Sequence, residues 1–172
     1  MALTRYAARR PTGRGRPGGG EFEAALAACR RIHRDVLAAG RPGTTVGDVL
    51  TVLEDSYRAE GHPGAWRQHY QGGPIGYAQR EFEISPAQTG DPWWGHRLAA
   101  GTAVAWNPSL PGGAKDEDTY LVTATGPDLV TWTGDWPDGG EVPEPTPRAG
   151  ADPAADPRTL LAWRPGVLVA GE

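Results

Sequence analysis

A histidine, an arginine and a glutamate share one short stretch with three glycines: His69-Tyr70-Gln71-Gly72-Gly73-Pro74-Ile75-Gly76-Tyr77-Ala78-Gln79-Arg80-Glu81. Neither a helix nor a strand needs that mixture. Glycine lets a backbone run close to another group or adopt positive φ, and polar side chains beside it are then positioned rather than merely solvated. The stretch is expected to form the floor of a site. Two further clusters could meet it, Trp106-Asn107-Pro108 and Lys115-Asp116-Glu117-Asp118-Thr119. Both lie at the ends of neighbouring strand candidates, so their side chains can converge on His69, Arg80 and Glu81. A histidine and carboxylates gathered from several strands are what a metal or acid–base site requires.

Each cluster has a plainer reading. His69 stands just before a glycine turn and could simply bond backbone. The acidic run Asp116-Glu117-Asp118 has the composition of a solvated turn. Trp93-Trp94 and Trp132 to Trp136 could line a pocket, although bulky aromatics more often fill a core or an interface. His33 and His96 have no partner pattern and are assigned no role.

The elements that must position these groups can be read from periodicity. Leu3 to Arg10 suits a short strand, and Pro11 to Gly20 a Gly/Pro/Arg loop. Glu21 to Ala39 reads as a helix, with Phe22, Leu26, Cys29, Ile32 and Val36 on one stripe. Gly40 ends it and Pro42 prevents continuation. A second helix starts after Thr45, a suitable N-cap with Asp48 in the first turn. Its stripe is Val46, Val49, Leu50, Leu53 and Tyr57, and Gly61 and Pro63 end it. Extended pieces follow: Arg67 to Tyr70, Tyr77 to Ile84, and Gly101 to Asn107 around the apolar run Ala103-Val104-Ala105-Trp106. A turn at Pro111 to Ala114 leads to two strands, Thr119 to Thr125 and Asp128 to Thr133, joined by Thr125-Gly126-Pro127 as an antiparallel hairpin. Two helices followed by a strand meander predict an α+β fold, with helices on one face of a mainly antiparallel sheet.

Composition bounds the rest. A chain of 172 residues is enough for one domain with a core. A formal net charge of −4 does not suit a nucleic-acid surface. No apolar run reaches the roughly 18 residues that a membrane span needs. Met1 to Gly20 is basic and glycine-rich with no apolar run after it, so a secretory signal is not expected. Cys29 stands alone, which leaves no disulfide framework and no cysteine-based zinc site; it reads as a small buried thiol on a helix. These points predict a cytoplasmic protein. Lys115 is the only lysine among many arginines, alanines, glycines and prolines, a coding bias that suggests a GC-rich bacterium. Residues 1–137 are expected to form the domain, 138–157 a disordered Pro/Gly/Ala-rich linker, and 158–172 a C-terminal tail that either adds a terminal strand or simply flaps.

The ordered set of helix, Arg41-Pro42-Gly43-Thr44-Thr45, helix, His69-Tyr70-Gln71-Gly72-Gly73-Pro74-Ile75-Gly76-Tyr77, Trp106-Asn107-Pro108-Ser109 and Lys115-Asp116-Glu117-Asp118-Thr119 resembles the creatinase, aminopeptidase P and methionine aminopeptidase superfamily, in its Xaa-Pro peptidase-like branch. The resemblance covers Leu3 to about Pro137. It implies a pita-bread fold, here incomplete at the N-terminus, with two helices on a curved sheet. It also implies two divalent metals (Mn, Co or Zn) held by two aspartates, a histidine and two glutamates, with a bridging hydroxide that attacks the scissile carbonyl.

Carried over by position, the ligand histidine is matched by Gly73. The first ligand glutamate is matched by Asn107, and the last ligand by Glu117. Leu3-Thr4-Arg5 resembles the Thr-Arg that follows an aspartate ligand, with no aspartate before it. His69 matches a histidine that faces substrate, and Arg80, beside Glu81, stands where another active-site histidine is usual. The resemblance therefore assigns catalysis to His69 and Glu81, substrate binding to Arg80 and Asn107, and metal binding to Glu117. One retained ligand of five predicts an Xaa-Pro aminopeptidase-like domain without its full dinuclear site, weakly active or inactive. The alternative is a non-catalytic pita-bread module. It would bind a small peptide or a small carboxylate through an Arg80 clamp, or act as a homodimerisation unit through exposed sheet edges.

Overall fold

A computed structural model describes residues 3–4, 6–9, 19–77, 92–131 and 167–170. Its longest element is helix α1, Gly19–Ala39. The predicted stripe is the face it buries: Leu26, Cys29, Ile32 and Val36 are all in the core. Burying each large aliphatic side chain of such a stripe contributes about 1.5–3 kcal/mol. Gly40 closes the helix by donating its N–H to Val36 O at 3.1 Å. Helix α2, Val46–Ala59, opens on a capping box: Thr45 Oγ1 accepts from the Asp48 N–H, and the Asp48 carboxylate accepts from the Thr45 N–H. The two helices pack along their lengths. Arg31 grips Glu60 with two hydrogen bonds of 2.7 and 2.6 Å, and Ser56 donates to Asp35 at 2.9 Å.

Among the described residues the main sheet has four antiparallel strands in the order β2 (Gly72–Ile75), β3 (Ala103–Trp106), β6 (Asp118–Val122) and β7 (Pro127–Leu129). Between β3 and β6 the chain makes a small antiparallel pair, β4 (Ser109–Leu110) with β5 (Ala114–Lys115). Helix α1 lies against β3, β4 and β5, and α2 packs on α1. Among the described residues Trp106, Tyr57 and Tyr120 are the largest fully buried side chains, so the core sits between the helix pair and this sheet. The architecture is the α+β arrangement expected, with two helices and an antiparallel sheet. Away from it, β1 (Tyr6–Arg9) pairs in parallel with β8 (Val167–Ala170), Tyr6 opposite Val167. Part of the segment read as a tail therefore supplies a strand.

Three local expectations change. Arg67 to Tyr70 was expected to be extended, but Ala65–Gln68 forms a 3-10 turn. Gly64, at φ 78°, starts that turn and swings Trp66 into the core. The hairpin turns earlier than the Gly-Pro signal suggested: Thr123 and Gly126 bond each other through their backbones, which ends β6 at Val122 and starts β7 at Pro127. The acidic run is no solvated turn, since Asp116 and Asp118 are buried. The stretch from Ala78 to Asp91, with Arg80 and Glu81, lies outside the described residues, as do the linker at 138–157 and Trp132.

Gly72 has to be glycine. Its φ is 87°, and a Cβ there would stand 2.0 Å from Ala105 O on the paired strand. The conformation and the close approach both exclude a side chain.

Candidate functional site

Strand pairing brings the three clusters together. The β3–β6 register sets Trp106 opposite Asp118. One step further out, Asn107 stands across from Glu117, and the Asp116 N–H donates to Pro108 O at 3.1 Å. On the other side of β3 the Asn107 N–H donates to Gln71 O at 3.0 Å. Asn107 therefore sits between the glycine stretch and the acidic run, and its two neighbours are set by backbone hydrogen bonds.

Glu117 is the centre of the polar contacts. Its carboxylate is mostly buried, with the side chain 12% exposed. Thr4 Oγ1 donates to Oε2 at 3.0 Å, Lys115 Nζ lies 2.9 Å from the same oxygen, and the Asn107 amide faces Oε1 at 3.5 Å. The Thr4 N–H also donates to Glu117 O at 2.8 Å, so the segment before β1 is stitched to the site by backbone and side chain together.

The Asn107 amide has a preferred orientation. With Nδ2 turned toward β2 it donates to Tyr70 O at 2.7 Å and to Gln71 O at 3.2 Å. The opposite orientation sets the amide oxygen against those two carbonyls and gains only the long contact to Glu117. The amide oxygen then faces the Glu117 carboxylate.

His69 caps the 3-10 turn, and its Nδ1 lies 2.7 Å from Tyr70 O. That bond requires the proton on Nδ1. Gln71 Nε2 approaches His69 Nε2 at 3.1 Å and donates to Trp66 O at 2.7 Å, while Tyr57 O–H donates to Gln71 Oε1 at 3.2 Å. His69 and Asn107 thus meet on one carbonyl, that of Tyr70. Asn107 in turn sits beside the carboxylate of Glu117, so that His69, Asn107 and Glu117 follow one another in a polar row.

Sequence reading missed a second pair. His33 Nδ1 lies 2.7 Å from Asp116 Oδ2, with both residues buried, and the His33 ring stands edge-on to Tyr120. Asp118 accepts from Thr131 Oγ1 at 2.6 Å. The signal was present: His33 follows Cys29 by one helical turn on the buried stripe, and Asp116 and Asp118 alternate with Glu117 as a strand would place them. Cys29 completes the neighbourhood, donating its thiol to Ala114 O. Burial, first, and the nearby Asp116 charge push that thiol up to about 12, so it stays protonated and unreactive. Burial also raises Tyr6 to about 12. Its hydroxyl hydrogen is shared between Gly113 O and Lys115 O, each at 2.9 Å. That contact fixes the backbone of the lysine that reaches Glu117.

Among the described residues, those matched to metal ligands do not by themselves make a dinuclear centre. Gly73, matched to the ligand histidine, offers no side chain and lies within β2 opposite Ala105. Asn107 is a neutral amide, and Glu117 already carries an ammonium. Among the described residues no three of His, Cys, Asp or Glu gather closely enough to hold a metal ion. An open cleft lies at the far end of β2, between Pro74, Ile75, Thr102, Trp93 and His96. It is largely apolar and is separate from the polar row.

No family model matches the sequence, and no curated protein does. Solved structures do. The chain is similar to dipeptidase PepE from Mycobacterium ulcerans, with 25% identity, a TM-score of 0.53 and coverage of 74% of this chain and 32% of that one. It is similar to the Xaa-Pro dipeptidase from Bacillus anthracis at 19% identity and a TM-score of 0.55, covering 76% and 35%. The prolidase from Pyrococcus horikoshii aligns at 20% identity and a TM-score of 0.54, covering 69% and 33%. The chain thus spans about a third of the length of each. What it shares with them is the arrangement of two helices and an antiparallel sheet described above, which is the pita-bread fold of the Xaa-Pro peptidase superfamily.

Proposed function

We propose that this chain is an Xaa-Pro peptidase-like domain that does not assemble the dinuclear metal centre and has little or no metallopeptidase activity. The observation that carries the reading is the pairing of Asn107 with Glu117. The two positions matched to ligand glutamates stand opposite each other, and one of them is a neutral amide bonded to the Tyr70 and Gln71 carbonyls just before β2. A hard divalent cation needs several oxygen donors, and a transition metal needs nitrogen or oxygen donors in fixed geometry. A single carboxylate supplies neither. The role left to the polar row is recognition of a small peptide or carboxylate. No helix among the described residues is long and apolar enough to cross a membrane. The free, buried Cys29 and the single lysine support a cytoplasmic, bacterial setting.

The test combines elemental analysis of purified protein, dialysed with and without Mn, Co or Zn, with hydrolysis of an Xaa-Pro dipeptide. Metal well below one ion per chain and no turnover are expected. Stoichiometric metal together with turnover that Glu117→Ala abolishes would overturn the reading.

A further inference from the structure

We propose that the Lys115 ammonium is the resident cation of this site, a tethered positive charge on Glu117 where a bound ion would otherwise have to sit. The inference rests on the reading above, that no metal centre forms here. Lys115 Nζ is 2.9 Å from Glu117 Oε2 and is the one ion-pair partner of that carboxylate among the described residues. The other groups around it, the Thr4 hydroxyl and the Asn107 amide, carry no charge. With the amide in its preferred orientation, an oxygen also faces Glu117 Oε1 at 3.5 Å. Two acceptors brought together in a mostly buried setting need a positive charge beside them.

The residue type fits that task. This chain uses arginine almost everywhere a cation is needed, and Lys115 is its only lysine. A guanidinium is a planar fork, whereas an ammonium is a compact point charge, closer in form to a metal ion. The lysine side chain is 35% exposed against 12% for Glu117, so the ammonium reaches the carboxylate from the wetter side. Its backbone is fixed by β5 and by Tyr6 O–H on Lys115 O. The charge is therefore delivered from a positioned strand rather than from a free surface chain.

The experiment compares thermal unfolding of the wild type and Lys115→Ala in n-propylammonium chloride, in millimolar Mn²⁺, and in NaCl of matched ionic strength. The variant is expected to melt about 2–6 °C lower. Propylammonium or Mn²⁺ should recover part of that loss where NaCl does not, while the wild type responds to neither. Adding Glu117→Gln to the variant should abolish the recovery. A variant that melts with the wild type overturns the proposal, as does one that responds to amine and NaCl alike or recovers equally without the Glu117 charge. Should Lys115→Ala fail to fold, Lys115→Met keeps the apolar stem and is read the same way. A wild type that holds stoichiometric metal with Lys115 in place overturns both readings. A metal-free wild type whose variant ignores amines overturns this one alone.

Discussion

His33 and Asp116 meet at 2.7 Å with water excluded from both, and their partnership ties α1 to the link between β5 and β6 that carries Glu117. Removing one partner of a buried hydrogen-bonded pair leaves the other unsatisfied, at a cost of about 1–3 kcal/mol. Asp116→Ala is expected to lose that much in urea unfolding, and Asp116→Asn, which can still accept from the imidazole, clearly less. Equal losses in the two variants would mean that the hydrogen bond contributes nothing. At this scale the sequence was legible wherever a residue acts on its near neighbours. Thr45 and Asp48 are three positions apart and formed the cap predicted for them. His33 could not be read that way, because its partner comes from another element far along the chain. The acidic run looked solvated for the same reason: composition is local, and the burial of Asp116 and Asp118 is set by what packs over them.

At the scale of elements, both helices followed from their stripes, and β3 from its apolar run. The β4–β5 pair, the 3-10 turn at Ala65–Gln68 and the pairing of β8 with β1 were not readable. Each is a short piece held by tertiary contacts rather than by its own periodicity. The α2 cap makes a pH-dependent prediction. Hydrogen bonds from the Thr45 side chain, first, and then its backbone hold the Asp48 carboxyl below its ordinary value of 3.8. A lowered folded-state value means that the contribution is intact above pH 3.8 and is lost as the pH falls through the folded value. An acid titration followed by helical circular dichroism should show the wild type losing stability in that window. Asp48→Ala should already lack this component at pH 7, with a flatter acid limb. Parallel acid limbs for the two proteins would exclude a role for the cap.

For the molecule as a whole, Cys29 reports on integrity. The fold keeps the thiol neutral, with its pKa raised from an ordinary 9.0 to about 12. The stabilising contribution of a raised group is complete below pH 9 and is lost as the pH climbs toward 12; Tyr6 acts in the same direction from 10.0. Alkaline unfolding should therefore set in above pH 9 and be delayed in Cys29→Ala. At pH 8, a thiol reagent should modify the native protein only as fast as the fold opens. Rapid labelling without denaturant would show that α1 does not seal against β5.

The parallel pairing of β1 with β8 joins distant parts of the sequence, and contacts of that kind form late because closing so long a loop costs entropy before the contact rewards it. Thr4 stands just before β1 and grips Glu117 through both its amide and its hydroxyl. During synthesis the helices and the four-stranded sheet can assemble as they emerge. The strand that secures β1 is made only after them. The carboxylate at the centre of the polar row thus acquires its full set of partners only once β8 has been made, after the scaffold around it is already in place.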